Sequence, residues 1–120
     1  MLSNVKSYCF ACFVQIDPPL VKILAPRQII GARIGSWALL ECYIEAYPEP
    51  FIDWIFGSKF LIESNKHNMT EQVLETRLDH VVSRKVSLNI TKIDRSDFGL
   101  YKCEARNNKG RTHGVIDVYG

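Results

Sequence analysis

The stretch Asp97-Phe98-Gly99-Leu100-Tyr101-Lys102-Cys103 (DFGLYKC) decides the fold of this chain of 120 residues. Its tyrosine stands two residues before a cysteine. At this spacing a tyrosine hydroxyl hydrogen-bonds to backbone a few residues upstream and pins the crossover between two sheets. Cys42 lies 61 residues before Cys103, and Trp54 follows Cys42 by 12 residues. These spaced residues together predict an all-β sandwich of two antiparallel sheets.

The spacing of Cys42, Trp54 and Cys103 is typical of an immunoglobulin-like β-sandwich, in which a disulfide joins the sheets and the indole packs against it. We therefore expect a Cys42–Cys103 bridge, with Trp54 and Tyr101 in the core. A bridge that closes a loop of about 60 residues contributes on the order of 4 kcal/mol. Such bridges persist in oxidising compartments, which favours an extracellular location. The alternative is a reduced pair, as in the intracellular immunoglobulin-like domains of muscle proteins.

Apolar residues from Pro18 onward recur mostly at every second position, the pattern of antiparallel strands. In the run 36–46, Leu40 and Cys42 share the face that we expect to point inward. Leu88 is expected inward in a later run. Further strands are predicted over residues 51–56, 83–93, 100–106 and 111–119, with a hairpin turn at 107–110 and a short strand near 66–72 followed by a loop.

Composition and charge exclude several classes of protein. The chain is 47% apolar and 23% charged, the usage of an ordinary soluble domain. Its formal net charge of +2 is too small to indicate nucleic-acid binding. No run reaches the roughly 18 to 20 apolar residues of a membrane-spanning helix.

The sequence offers no catalytic or metal-binding constellation. His67, His80 and His113 fall in unrelated segments without a nucleophile motif, so we expect surface histidines and no enzyme. Cys9 and Cys12 have the spacing of half a zinc site, but no second ligand pair follows at zinc spacing. We therefore expect neither a metal nor a cofactor.

Residues 1–17 are predicted to lie outside the domain, which we place at 18–120. An apolar run at 8–14 follows Lys6, the outline of a signal peptide, but no small-residue cleavage site follows it. A leader and a misassigned first segment both remain open. Asp17-Pro18-Pro19 then interrupts regular structure, because proline restricts the residue before it and lacks an amide donor.

Residues 18–119 resemble the intermediate-set immunoglobulin domains of neuronal cell-adhesion proteins. The phrase at 35–50 (GSWALLECYIEAYPEP), followed by Trp54, is similar to the third, membrane-proximal domain of the lachesin, IgLON and Dpr-interacting protein group. Residues 103–110 (CEARNNKG) and 115–119 (VIDVY) resemble the last hairpin and final strand of that domain. The resemblance implies a protein with three such domains that recognises other immunoglobulin-superfamily proteins between neurons. Because members bind chiefly through their first domain, no binding residue carries over to this chain.

Asn68-Met69-Thr70 and Asn89-Ile90-Thr91 are glycosylation sequons and support an extracellular location. Asn89 alternates with inward-facing Leu88 and is expected to point to solvent. The intracellular filament-associated alternative would leave both sequons unmodified. A small secreted one-domain ligand is the other alternative, and it requires a working signal at the N-terminus.

Three further features are candidates for contacts. Trp37, Leu39 and Tyr43 form an apolar stripe opposite Cys42, and exposed tryptophan and tyrosine mark interfaces. A segment folding over the stripe would explain it as well. A basic cluster near the last hairpin suits sulfated glycans or acidic partners, although a solvated hairpin explains it equally. The cluster consists of Lys102, Arg106, Lys109 and Arg111. The tyrosine-corner motif also implies an ion pair between Asp97 and either Arg77 or Arg84.

Overall fold

The computed structural model describes residues 20–24 and 27–120, which form nine strands in two sheets. Residues 1–17, predicted to lie outside the domain, are not among the described residues. In chain order the strands are β1 (Leu20–Leu24), β2 (Arg27–Gly31), β3 (Ala38–Tyr47), β4 (Phe51–Phe56), β5 (Lys59–Phe60), β6 (His67–Thr76), β7 (Val82–Ile90), β8 (Gly99–Asn107) and β9 (Gly110–Tyr119).

The two sheets have the strand orders β1-β3-β7-β6 and β2-β9-β8-β4-β5. Strands β1 and β2 are consecutive but belong to different sheets, so the chain changes sheets between them. Strand β2 runs parallel to β9, whereas the other neighbouring pairs in the described chain are antiparallel. This arrangement has the four-stranded and three-stranded sheets of a constant-type immunoglobulin domain, with two short strands added to the latter. The predicted immunoglobulin-like sandwich is confirmed.

Strand β3 shows how the sequence builds the core. Every second residue from Ala38 to Ala46 is buried, because successive side chains of a strand point to opposite faces. Leu40 and Leu88 are fully buried and directly opposite one another in register.

The Cys42–Cys103 disulfide joins the two sheets, as the spacing predicts, with its Cα atoms 6.6 Å apart. Trp54 lies opposite Cys103 in register and belongs to the same buried cluster. The bridge therefore sits at the centre of the core rather than at an edge.

Tyr101 pins the crossover between the two sheets, where the chain passes from β7 to β8. Its hydroxyl donates a 2.7 Å hydrogen bond to the backbone carbonyl of Asp97, and its ring stacks on Phe56 at 4.2 Å between centroids. Gly99 has a φ of 141°, and a Cβ there would come within 3.1 Å of the Phe56 ring. Glycine is therefore required at this position of the DFG phrase. Desolvation by burial is the main cause that raises the pKa of Tyr101 well above its ordinary value, and the negative charge of Asp97 raises it further.

Strand β6 is longer than predicted, since it continues to Thr76 where a loop was expected. The residues from Thr70 to Thr76 are all exposed, so they carry no alternation of apolar and polar residues that a sequence pattern could reveal. Backbone pairing with β7 nevertheless holds them in the sheet. The pattern also gave no sign of β1, β2 or β5, which are five, five and two residues long.

Tyr101→Phe is expected to lower the free energy of unfolding by about 1–3 kcal/mol, because the Asp97 carbonyl loses its buried donor. Urea denaturation monitored by fluorescence measures the change. Tyr119→Phe, at an exposed tyrosine, is the control and should change stability by less than about 0.5 kcal/mol. Equal effects of the two variants would contradict a structural role for the Tyr101 hydroxyl.

Candidate recognition surface

The predicted apolar stripe lies on the outer face of the four-stranded sheet. Trp37, Leu39 and Tyr43 are 62%, 41% and 37% exposed, so no described segment covers them. Leu24 is paired with Tyr43 in register and is also exposed, which extends the surface onto β1. Leu24 was not predicted from the sequence. Alternation along residues 20–24 would have placed it on the outer face if β1 had been recognised as a strand.

A charged side chain, Glu41, divides this surface in two. Glu41 lies between Leu39 and Tyr43 on the same face, and its carboxylate is 3.5 Å from the ammonium group of Lys85 on β7. The two parts, which we call the Trp37 patch (Trp37 and Leu39) and the Tyr43 patch (Tyr43 and Leu24), are therefore separate apolar areas. A single continuous stripe is not present.

The two sequons meet beside the Trp37 patch. Asn68 and Asn89 are directly opposite one another on β6 and β7, and Asn89 is in turn opposite Leu39 on β3. Asn68 is exposed and its Nδ2 donates a 3.0 Å hydrogen bond to Oε2 of Glu63. Asn89 is on the outer face, as expected, but it is half-buried.

The outer face of the five-stranded sheet carries a second group of exposed apolar side chains that the sequence analysis did not single out. They are Ile29, Phe51, Phe60, Leu100 and Tyr119. Alternation along the strands puts Phe51 and Leu100 on the face opposite to Trp54 and Tyr101. This alternation could have identified both as outward-facing residues from the sequence. Ile55 shares this outer face but is buried, since it is flanked in register by Phe60 and Lys102.

The predicted basic cluster lies on the same sheet, mostly around one cavity. The cavity measures about 800 Å³ and is lined by Arg106, Lys109 and Arg111 together with Phe51 and Glu49. The Arg106 guanidinium lies 5.0 Å from the Phe51 ring centroid, a cation–π distance. Arg111 is 3.6 Å from a carboxylate oxygen of Glu104, which reduces the net positive charge of the cluster.

The predicted ion pairs of Asp97 are wrong. Lys66, in the loop before β6, places its ammonium group 2.6 Å from Oδ2 of Asp97 and 2.9 Å from the Lys92 carbonyl. The same carboxylate oxygen accepts a hydrogen bond from the Asp94 amide at 2.8 Å. Arg77 instead pairs with Asp79 at 2.9 Å, and Arg84 lies 3.1 Å from Glu71. The sequence predicted a strand that starts near Lys66, but spacing along the chain does not show that this end of the strand returns to the Asp97 corner.

The three histidines remain in separate places. His80 is in a turn and packs on Tyr47, His113 is exposed on β9, and His67 begins β6. Desolvation by burial lowers the pKa of His67.

Within residues 20–24 and 27–120, no group of three His, Cys, Asp or Glu side chains is placed to hold a metal ion. Cys9 and Cys12 lie outside the described residues. In the described part of the chain, no helix is long and apolar enough to cross a bilayer.

A disulfide-bridged sandwich with aromatic side chains on its outer faces has the form of a binding or structural module. Residues 18–107 match the family model described as immunoglobulin domain. The chain therefore belongs to the immunoglobulin domain family.

The chain is similar to parts of several much longer proteins. Titin of Drosophila melanogaster is 34% identical over 86% of this chain, human contactin-1 29% over 94%, and lachesin of Schistocerca americana 25% over 85%. The chain spans 0%, 9% and 27% of the lengths of these proteins. It therefore corresponds to a small part of each relative.

Among solved structures, one match is a complex of Dpr2 Ig1-Ig2 with DIP-Theta Ig1-Ig3. The TM-score is 0.69 and the identity 28%, with 82% of this chain and 32% of the matched chain covered.

Lys66→Met is expected to destabilise the domain by about 2 kcal/mol, because it removes a charged hydrogen bond from the buried Asp97 carboxylate. Arg77→Met is the matched control, since it removes a partly exposed cation that pairs with Asp79, and it should cost much less than Lys66→Met. Chemical denaturation of both variants gives the comparison. A larger loss for Arg77→Met would contradict the pairing described here.

Proposed function

We propose that this chain is a non-catalytic extracellular recognition module of the immunoglobulin superfamily, which serves neuronal cell adhesion by binding other cell-surface proteins of the same superfamily. It acts as a secreted protein or as part of a membrane-tethered receptor, and its binding is homophilic or heterophilic. The observation that carries the proposal is the pair of exposed aromatic residues, Trp37 and Tyr43, on the outer face of a disulfide-bridged sandwich.

The Cys42–Cys103 bridge supports the extracellular part of the proposal. Both sulfur atoms are buried, and a bridge over a loop of this length stabilises a domain by about 4 kcal/mol. Structural disulfides of this kind form and persist in oxidising compartments. Two sequons on the same outer face add to this support, since glycosylation requires passage through the secretory pathway.

The exposed apolar surface supports the recognition part. Large exposed aromatic residues mark contact sites, because tryptophan and tyrosine contribute much of the binding energy at protein interfaces. In the similar solved structure, Dpr2 and DIP-Theta domains form a complex with one another. Lachesin is also among the relatives. We assign the chain to the third domain of the lachesin, IgLON and Dpr-interacting protein group.

A structural domain of an intracellular filament-associated protein is the second candidate. The 34% identity to Drosophila titin over 86% of the chain favours it. In that setting Cys42 and Cys103 would be reduced and both sequons would be unmodified. The chemical state of these four residues therefore separates the two candidates.

The first test is the intact mass of the chain expressed in eukaryotic cells. The proposal expects secreted protein with an oxidised Cys42–Cys103 pair and with a glycosidase-sensitive mass at Asn68 or Asn89. Cell-retained chain with free thiols and no sugar would favour the filament candidate. The chain is also expressed behind an added secretion signal. This distinguishes two causes of retention: a native N-terminus that does not direct export, and a domain that is intracellular. A chain that is exported this way and yet folds equally well when reduced would contradict the proposal.

The second test is the double variant Trp37→Ala/Tyr43→Ala. We expect the fold to be retained, because both side chains lie outside the core, and the self-association constant to fall by at least about tenfold. Analytical ultracentrifugation over a range of concentrations measures it, with Phe60→Ala on the other sheet as control. Unchanged sedimentation of the double variant would remove this surface from the contact. A wild-type chain that is monomeric throughout would exclude homophilic binding and leave heterophilic binding to be measured with the same variants.

A further inference from the structure

A cavity of about 400 Å³ lies at the Trp37 end of the four-stranded sheet. It is lined by Trp37 and by both the acceptor asparagine and the threonine of one sequon, Asn89 and Thr91. The remaining walls are Gly35, Ser36 and Lys92. A modifiable side chain and an exposed indole therefore face the same small space.

The register explains why these residues meet. Asn89 is opposite Leu39, and Trp37 precedes Leu39 by two residues, which places it about 7 Å further along the same face. An asparagine side chain extended by one sugar ring covers that distance. Oδ1 of Asn89 is buried and has no hydrogen-bond partner in the described structure.

We propose that Asn89 carries an N-linked glycan whose first N-acetylglucosamine lies in this cavity against the face of Trp37. The inference rests on the proposed extracellular location. In the transfer step, Nδ2 of Asn89 attacks the anomeric carbon of a lipid-diphosphate-linked oligosaccharide. The N–C bond forms, the C–O bond to the diphosphate breaks, the lipid diphosphate leaves with the electron pair, and the amide gives up one proton.

The chemistry of the two surfaces matches. A pyranose ring presents a face of C–H groups with partial positive charge, and an indole presents a face of negative charge from its π-system. The contact would remove apolar indole surface from water while the sugar hydroxyls stay solvated. The group that packs on the exposed Trp37 indole is thus a sugar covalently attached to the same chain.

The proposal divides the recognition surface. The sugar covers the Trp37 patch, whereas the Tyr43 patch lies on the other side of Glu41 and stays free for a protein partner. In the glycosylated chain Trp37→Ala alone should therefore leave self-association unchanged, and Tyr43→Ala alone should weaken it.

The experiment uses the full chain, secreted from eukaryotic cells behind an added signal so that glycosylation does not depend on the native N-terminus. Thr70→Ala removes the other sequon and preserves the Asn68 bond to Glu63. Asn68→Gln is the second variant for the same purpose. An endoglycosidase then trims the glycan to its first N-acetylglucosamine, and peptide mass spectrometry measures the occupancy of Asn89. The comparator is the same polypeptide refolded from bacteria without sugar.

Tryptophan fluorescence gives a direct readout, because the chain has two tryptophans and Trp54 is only 4% exposed. Acrylamide quenching of the folded protein therefore reports on Trp37. We expect quenching of the trimmed protein to fall toward that of a buried tryptophan. The sugar should also raise Tm by about 4 °C, and Trp37→Ala should abolish this increase whereas Phe60→Ala should retain it.

Three outcomes would overturn the inference: Asn89 unmodified in the exported chain, Asn89 modified with unchanged quenching, or a Tm increase that survives Trp37→Ala. None of these decides whether the native chain is exported, which the intact-mass measurement without the added signal tests separately. Failure of the proposed function and failure of this inference are thus distinguishable.

Discussion

The hydrogen bond from the Tyr101 hydroxyl to the Asp97 carbonyl is the interaction on which the corner of the sandwich depends. A buried polar group must find a partner, and this bond satisfies a carbonyl and a hydroxyl together. It fixes the turn before β8, which positions Cys103 for its bridge. The ammonium group of Lys66 and the Asp94 amide then hold the Asp97 side chain at the same corner. Local hydrogen bonding and the inter-sheet disulfide therefore reinforce one another.

The outer faces of the two sheets carry different kinds of exposed side chains. The four-stranded sheet presents separated apolar patches, two sequons and a charged pair, whereas the five-stranded sheet presents apolar side chains beside arginines and a lysine. A glycan on the first face would leave the second free of sugar. Under the proposed glycosylation, the sandwich would have one modified and one unmodified outer face.

Much of this architecture could be predicted because strand periodicity and the Cys, Trp and Tyr spacing are local signals. The inward residues of β3 and the bridge follow from them directly. The full length of β6 could not be predicted, since residues 70–76 are all exposed and show no alternation that would mark a strand. The partner of Asp97 depends on how a loop returns to the corner, and spacing along the chain does not encode that. Strand alternation alone places Glu41 between Leu39 and Tyr43, whereas its ion pair with Lys85 depends on the register between β3 and β7.

Strand β6 is the edge of its sheet, and the way it is built limits how copies of the domain can join. An exposed edge strand offers unpaired amides and carbonyls to any neighbouring chain, which makes it a template for aggregation. Here the register shifts between Val73 and Glu75, and the acidic side chains of Glu71 and Glu75 are exposed along the strand. Irregular pairing and like charges both oppose the addition of another strand. Contact between copies of the domain is therefore left to side chains rather than to shared sheet edges.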